Sequence, residues 1–281
     1  MIDLHLHTTA SDGRLAPAEL VELASVAGLT TISVTDHDTT AGLDEAQASA
    51  DALGIRLIDG IEITAVESGR DVHVLGYFFD RDNAGLRSFL HAQRADRVRR
   101  VKEMSERLAS LGCPVDLHSI LDELQQRPGR SIGRPQVADA LVKAGHATDR
   151  GDAFNRWLGA GRPGFVSRRG APVARVVEIV ADAGGITSMA HPGLTGIDDR
   201  IERFAASGLD AVEARHSEHD LEAETRYRQI AGALGLLVSG GSDFHADPSH
   251  HINALGLVTL PPADFAALEA RAFRTRRPAS R

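Results

Sequence analysis

Two histidines stand one residue apart in "IDLHLHTTASDG", residues Ile2 to Gly13. A strand alternates its faces, so His5 and His7 point to one side and Leu4 and Leu6 to the other. Two imidazoles side by side suit a metal better than a hydrophobic core. The same residue types return along the chain. Asp12 follows the first pair, "TDHDT" supplies Asp36, His37 and Asp38, and "GIEIT" supplies Glu62. "DVHVLGY" carries His73, "MAHPG" His191, "VEARHSEHD" His216 and His219, and "GGSDFHAD" Asp243 and His245. Each has a plain structural explanation when taken alone. His73 could be a satisfied core histidine, Asp36 and Asp38 could cap the helix that follows, and Glu62 could be a surface carboxylate. Their recurrence at successive strand ends favours a metal centre. Nitrogen and oxygen donors without cysteine suit Mn²⁺, Fe²⁺ or Zn²⁺. The candidates outnumber what one ion can use, which implies two or three ions. Such ions lower the pKa of a bound water and clamp phosphoryl oxygens.

The elements that must position these side chains alternate between short apolar runs and helical patterns, the signature of βα units. Strands are predicted near Ile2–His7, Thr31–Thr35, Arg56–Ile61, Val72–Phe78, Gly185–Ala190, Ala211–Ala214 and Leu236–Ser239, with another possible at Ala254–Leu260. Helices are predicted over Pro17–Ala27, Leu43–Leu53, Val173–Ala183, Ile201–Ser207 and Leu221–Leu234. Pro17 sits at a first-turn position, where its missing N–H does no harm. "TAVESGRD" is too short for a helix and implies a tight connection between strands three and four. From about Asp80 to Arg169 the rhythm breaks. A long charged helix ends at Gly112, further helical pieces follow, and "GAGRPGF" returns to the strands. The expected architecture is α/β: a (β/α)-type barrel of about seven strands carrying a helical insertion. In such barrels functional residues gather at the C-terminal strand ends.

Composition narrows the function classes. The 281 residues are 42% hydrophobic and 25% charged, ordinary for a globular protein. A single cysteine, Cys113, excludes an intramolecular disulfide framework and a multi-cysteine zinc site. No apolar run approaches the roughly 20 residues of a membrane span, and Asp3, His5 and His7 interrupt any signal-like opening, so a cytoplasmic protein is expected. The net charge of −8 gives no global bias toward nucleic acid, although bound cations would reverse the sign locally. "RAFRTRRPASR" reads as a solvated or frayed tail. A metallohydrolase class that bridges its ions with a carbamylated lysine also begins with His-x-His. Lys102 and Lys143, the only lysines, both fall in the insertion; a carboxylate-bridged variant stays open.

"DLHLHT…SDG", "TDHDT", "GIEIT", "VHVLGY", "AHPG" and "GSDFH" resemble, in order, the motifs of the polymerase and histidinol phosphatase (PHP) family. The resemblance implies a distorted (β/α)₇ barrel, residues 1–79 and 170–281, with a small helical insertion, residues 80–169, covering the active site. It implies a trinuclear centre of divalent ions, Mn²⁺ foremost. His5, His7, Glu62 and Asp243 would hold the first ion, and Glu62 would bridge to a second held by His73 and His191. Asp12, His37 and His245 would hold the third. "SIGRPQVADALVKAGH", "GRPGFV" and "VEARHSEHD" are similar to segments of phosphoesterases that include 3′,5′-nucleotide bisphosphate phosphatases. Some relatives in that group remove nucleotides from the 5′ end of short RNA.

By the same resemblance Arg134 and His219 contact substrate phosphate, where an arginine fork matches two phosphate oxygens. His216 either supports a ligand or contacts substrate. Two departures stand out: Gln136 where many relatives have His, and "SRRGAP" after Val166. His91, His118, His146, His250 and His251 match no motif. The implied function is a metal-dependent phosphoesterase acting on a small nucleotide, preferably adenosine 3′,5′-bisphosphate, releasing AMP and phosphate. Asp12, His37 and His219 are its catalytic candidates, and no obligate protein partner is evident. The alternatives are a 5′→3′ exonuclease on short RNA or single-stranded DNA and, in another class, a non-catalytic metal-binding regulatory protein. An exonuclease groove needs basic and aromatic side chains, and an aromatic content of 4% favours the small substrate. Histidinol phosphatase fits less well, since "SDG" and the insertion resemble the other branch.

Overall fold

The computed structural model describes residues 1–247 and 255–275. Seven strands form one curled sheet in chain order: β1 (Ile2–Leu6), β2 (Thr31–Val34), β3 (Arg56–Glu67), β4 (Arg70–Tyr77), β5 (Ile186–Met189), β6 (Ala211–Arg215) and β7 (Leu237–Gly240). Helices α1 (Pro17–Val26) and α2 (Leu43–Leu53) lie between the first three strands. Between β4 and β5 come α3 (Ala84–Ser110), α4 (His118–Gln126), α5 (Arg134–Lys143), α6 (Arg150–Ala153), a π-helical turn (Phe154–Leu158) and α7 (Val173–Asp182). Then follow α8 (Pro192–Thr195), α9 (Ile201–Ala206), α10 (Leu221–Leu234) and α11 (Pro262–Thr275). The sheet curls until β1 meets the segment after β7: His7 N donates to Phe244 O at 3.0 Å, and Asp243 N to His5 O at 2.9 Å. This is the distorted barrel of the sequence-based expectation.

The pairs are parallel except around β4, which runs antiparallel to both β3 and β5. "TAVE" continues β3 beyond Ile61, and Ser68 and Gly69, with φ of 51° and 78°, close a tight hairpin of the primed kind. The strand-end rule therefore needs correcting at two places. His73 is the fourth residue of β4, opposite Thr64, and reaches the common face because its strand is reversed. Glu62 lies in mid-strand, since β3 overshoots the barrel rim by several residues.

Two further expectations fail. No strand covers residues 255–260, where Gly256 takes a φ of 78° that breaks an extended run; Ala254 lies outside the described residues, as do His250 and His251. Arg271–Thr275 is not a frayed tail but the last turn of α11. Ala272 is buried there, and Arg271 donates to Asp210 at 3.3 Å. Helix α11 packs Phe265 and Leu268 against Ile2, Ile58, Ile186 and Ala211, residues from the beginnings of parallel strands. It plugs the end of the barrel opposite the histidines.

The segments between β4 and β5 hold an apolar cluster of their own, built from Val101, Met104 and Leu108 of α3 with Val137 and Leu141 of α5. The first turns of α3 bury Leu86 and Leu90 in the barrel core. Asp38 locks the two together. Its Oδ2 accepts from Arg97 Nε at 2.5 Å and Arg168 Nη2 at 2.6 Å, and its Oδ1 from Thr64 N at 3.0 Å. It caps no helix. Burial alone would raise its pKa, but Arg168 and Arg97 hold the carboxyl well below the usual range. Asp38→Asn would strand two buried guanidinium groups, so unfolding should become about 3–5 kcal/mol easier, read as a lower urea midpoint. A midpoint indistinguishable from wild type would refute the anchoring role.

Candidate metal centre

Period-2 alternation in β1 sends Asp3, His5 and His7 to one face, where all three are buried. His5 Nε2 lies 3.3 Å from both Glu62 Oε2 and Asp243 Oδ1. His7 Nε2 lies 3.2 Å and 3.1 Å from the same two oxygens. Glu62 is the hub. Its Oε1 faces His73 Nδ1 at 2.7 Å and His191 Nε2 at 3.1 Å, and its Oε2 faces His37 Nδ1 at 3.1 Å. On the rim, Asp12 lies 3.3 Å from His245 Nε2 and 3.6 Å from His37 Nε2. Four groups among the described residues converge tightly enough to hold an ion: His5, His7, Glu62 and Asp243; His37, Glu62 and His73; His7, Asp12, His37 and His245; and, behind the first, His5, Glu213 and His216. All nine residues singled out as ligands in the sequence meet in one place.

The donor set fits divalent cations. His7 Nδ1 and Nε2, His37 Nδ1 and His73 Nδ1 are buried without a hydrogen-bond partner among the described residues, although carboxylate oxygens lie close by. Without a cation, extra protons must hold these groups together. Burial opposes a charge on His7, yet the Asp243 and Glu62 carboxylates beside it push its pKa up to about 10. Burial drives His37 down to about 3 despite Glu62 and Asp12. Asp12, Glu62 and Asp243 are held well below the carboxylate range by the surrounding imidazoles, against the effect of burial. A divalent cation supplies that positive charge while leaving each imidazole neutral, the form that ligates. His191 and Asp243 take φ of 26° and 54°, left-handed backbone that the surrounding loops must enforce.

Several supporting residues escaped the sequence reading. Glu213 of β6 is fully buried; it accepts from His5 Nδ1 at 3.0 Å and from His191 N at 2.8 Å. It thereby turns His5 Nε2 toward Glu62, an outer contact of the kind that orients metal ligands. A carboxylate inside the apolar run "AVEA" was the available signal. Asp3 accepts from His5 N and Ser242 N, and burial raises it to about 7; the alternation that exposed His5 and His7 also pointed to it. Asp36 is no helix cap either. It accepts from Thr8 N at 2.8 Å, Thr8 Oγ1 at 2.6 Å and Ser11 Oγ at 2.5 Å, and so holds the loop bearing Asp12.

His245 Nδ1 donates to Asp243 O at 2.8 Å, which aims Nε2 at Asp12. His216 Nδ1 accepts from Glu218 N, leaving Nε2 to donate to Asp243 Oδ2 at 3.4 Å. His219 sits outside the cavity lining, with Nδ1 on Ala214 O at 2.9 Å and Nε2 accepting from Gly193 N at 3.2 Å. Arg134 opens α5 on the cavity wall, 3.4 Å from Asp71, with its guanidinium over the Phe154 ring at 5.6 Å. Gln136 ties α5 to the Asp12 loop by donating to Ser11 O at 2.9 Å. His118 is an exposed partner of Asp116, and His146 lies 3.1 Å from Pro114 O, both away from the centre. The cavity over the ligands measures about 510 Å³ and is walled on the insertion side by Arg134, Pro135, Arg150, Phe154 and Asn155.

Among the described residues no helix is long and apolar enough to cross a membrane. The PHP domain profile matches residues 3–125. A 5′-3′ exoribonuclease of Haemophilus influenzae is 36% identical over 248 residues, spanning 86% of this chain and 89% of that protein. A 3′,5′-nucleoside bisphosphate phosphatase of Chromobacterium violaceum is 32% identical over 281 residues, spanning 97% and 98%. The crystal structure of a protein described as a metal-dependent phosphoesterase, from Bifidobacterium adolescentis, superposes with a TM-score of 0.87 at 36% identity over 96% of each chain. With its ligand types, its seven-stranded barrel and these relatives in agreement, the chain belongs to the PHP family of metal-dependent phosphoesterases.

Proposed function

We propose that this chain removes a phosphate from a small nucleotide, with adenosine 3′,5′-bisphosphate as substrate and AMP and phosphate as products. The observation that carries the reading is the cavity. It joins the ligand cluster to an arginine and an aromatic ring inside about 510 Å³, a volume suited to a small ligand. His5, His7, Glu62 and Asp243 would hold one ion, Glu62 with His73 and His191 a second, and Asp12, His37 and His245 a third. When bound, divalent ions of the Mn²⁺ kind supply Lewis-acid charge at the phosphoryl oxygens and a water acidified toward neutrality.

The chain's own side chains do the rest. Arg134 fixes a substrate phosphate, and Phe154 offers a ring face toward the base. The helical segments of residues 80–169 wall the cavity on one side and shield the bound nucleotide from bulk solvent. Asp12 and His37, which face the cavity, are our candidates for handling the proton at the leaving oxygen. His219 can join them only by exchanging its Gly193 hydrogen bond for that oxygen, and His216 acts through Asp243. A second reading, 5′→3′ exonuclease action on short RNA, is favoured by the similarity to the Haemophilus influenzae exoribonuclease. Turnover of 5′-phosphorylated dinucleotides above that of the bisphosphate would select it.

Metal analysis of gently purified protein should find at least two equivalents per chain. None, even after Mn²⁺ loading, would remove the basis of the proposal. Asp12→Ala should lower both metal content and kcat while leaving the unfolding midpoint near wild type, because its loop lies outside the core.

Arg134→Ala should lose a charge-assisted contact of roughly 1.5–3 kcal/mol, or about 10- to 150-fold in kcat/KM for adenosine 3′,5′-bisphosphate. An aryl phosphate, with no second anchoring group, should lose much less. Equal losses on both substrates would place Arg134 on the attacked phosphate, and no loss on either would make it a plain surface cation.

A further inference from the structure

The side chains proposed for the first ion are fixed from within the barrel. Glu213 of β6 orients His5, and Asp243 N donates to His5 O at 2.9 Å. Two of those proposed for the third ion are held from outside it. Asp12 lies in a loop tied to the helical segments between β4 and β5. Ser131 N donates to Ala10 O at 2.8 Å, and Gln136 Nε2 to Ser11 O at 2.9 Å. A further link is ionic. Arg14, two residues beyond Asp12, lies 3.2 Å from Asp139 of α5 and 3.4 Å from Asp247. Its backbone N–H donates to His245 O at 2.9 Å, which joins the Asp12 loop to the other rim ligand.

Arg150 closes this group. It forks onto Asp139 with Nε at 2.7 Å and Nη2 at 2.6 Å, and its Nη1 donates to Asp247. The Arg150 and Asp247 side chains are only 13% and 5% exposed, so salt screens their attraction little. Asp247 stands two residues after His245. Between them Ala246 takes a φ of 53°, a left-handed conformation that its surroundings must enforce. Arg14 and Arg150 supply such a hold through Asp247. Neither Arg150 nor Asp139 belongs to a ligand motif, yet the clasp they form reaches both loops.

We propose that Arg150 is a positioning residue for the third ion. By clasping Asp139 and Asp247 it keeps the loops of Asp12 and His245 together, so that closure of the cavity wall and binding of that ion are coupled. Such coupling is reciprocal, and the ion should in turn steady α6 and the π-helical turn after it. The proposal rests on the three-ion part of the phosphoesterase reading.

Mn²⁺ titration with metal analysis gives the first test. Asp139→Asn removes the fork partner of Arg150 at a position outside the cavity lining. It should keep two ions as wild type does and bind the third about tenfold more weakly, the effect of losing an outer contact to a ligand. Arg150→Gln should do the same. In both, kcat should fall at limiting Mn²⁺ and recover in excess, with KM for adenosine 3′,5′-bisphosphate unchanged. The second test needs no turnover. Mn²⁺ should slow amide hydrogen exchange across residues 150–158 in wild type, but not in Asp139→Asn or Asp12→Ala. The half-exposed Asp139 carries both tests if Arg150→Gln fails to fold. Unchanged Mn²⁺ affinity in the variants, or equal loss of every ion, overturns the coupling. A raised KM at full metal content makes Arg150 a substrate contact and overturns it too. A wild type that holds two ions and never a third overturns it together with the three-ion assignment. If no nucleotide is turned over, the proposed reaction fails, and the titration and exchange data still decide the coupling.

Discussion

A buried carboxylate surrounded by five imidazoles is the constraint around which the rest of this molecule is arranged. Glu62 lies within about 3.3 Å of nitrogens from His5, His7, His37, His73 and His191, and Asp243 and Asp12 crowd the same space. Such a cluster cannot be removed from water with its charges uncompensated. Divalent ions would satisfy it, and the barrel supplies the geometry, because each strand delivers only one or two side chains to the rim. Outer contacts then fix two of the rings and one loop: Glu213 holds His5, the Asp243 carbonyl holds His245, and Asp36 holds the loop that carries Asp12.

The helical segments between β4 and β5 depend on Asp38 for their place. A single carboxylate between Arg97 and Arg168 ties the long helix and the returning segment to the loop after β2. A second link runs through Arg150, which bridges Asp139 of α5 and Asp247 beyond β7. These ion pairs are buried or half-buried and join elements distant in the chain, so they fix how the cavity is walled more than they add net stability. The wall they build presents Arg134 and Phe154 to the cavity above the ligand cluster.

Sequence by itself determined the ligand types, their order and the α/β rhythm, because each rests on local physics. Alternation within five residues puts His5 and His7 together, and Gly-rich turns after apolar runs mark the rim. Helices α2 and α10 were predicted to their ends, since periodicity and capping are local as well. Only the tertiary structure decided the direction of β4, and with it why His73 reaches the rim from the first half of its strand. It also decided that Asp38 anchors instead of capping, that Glu213 orients a histidine 208 positions away, and that Arg168 meets Asp38 across 130 residues. Those partners are chosen by how the sheet curls and where the insertion lands. A charged residue's own neighbours in the chain carry no trace of either.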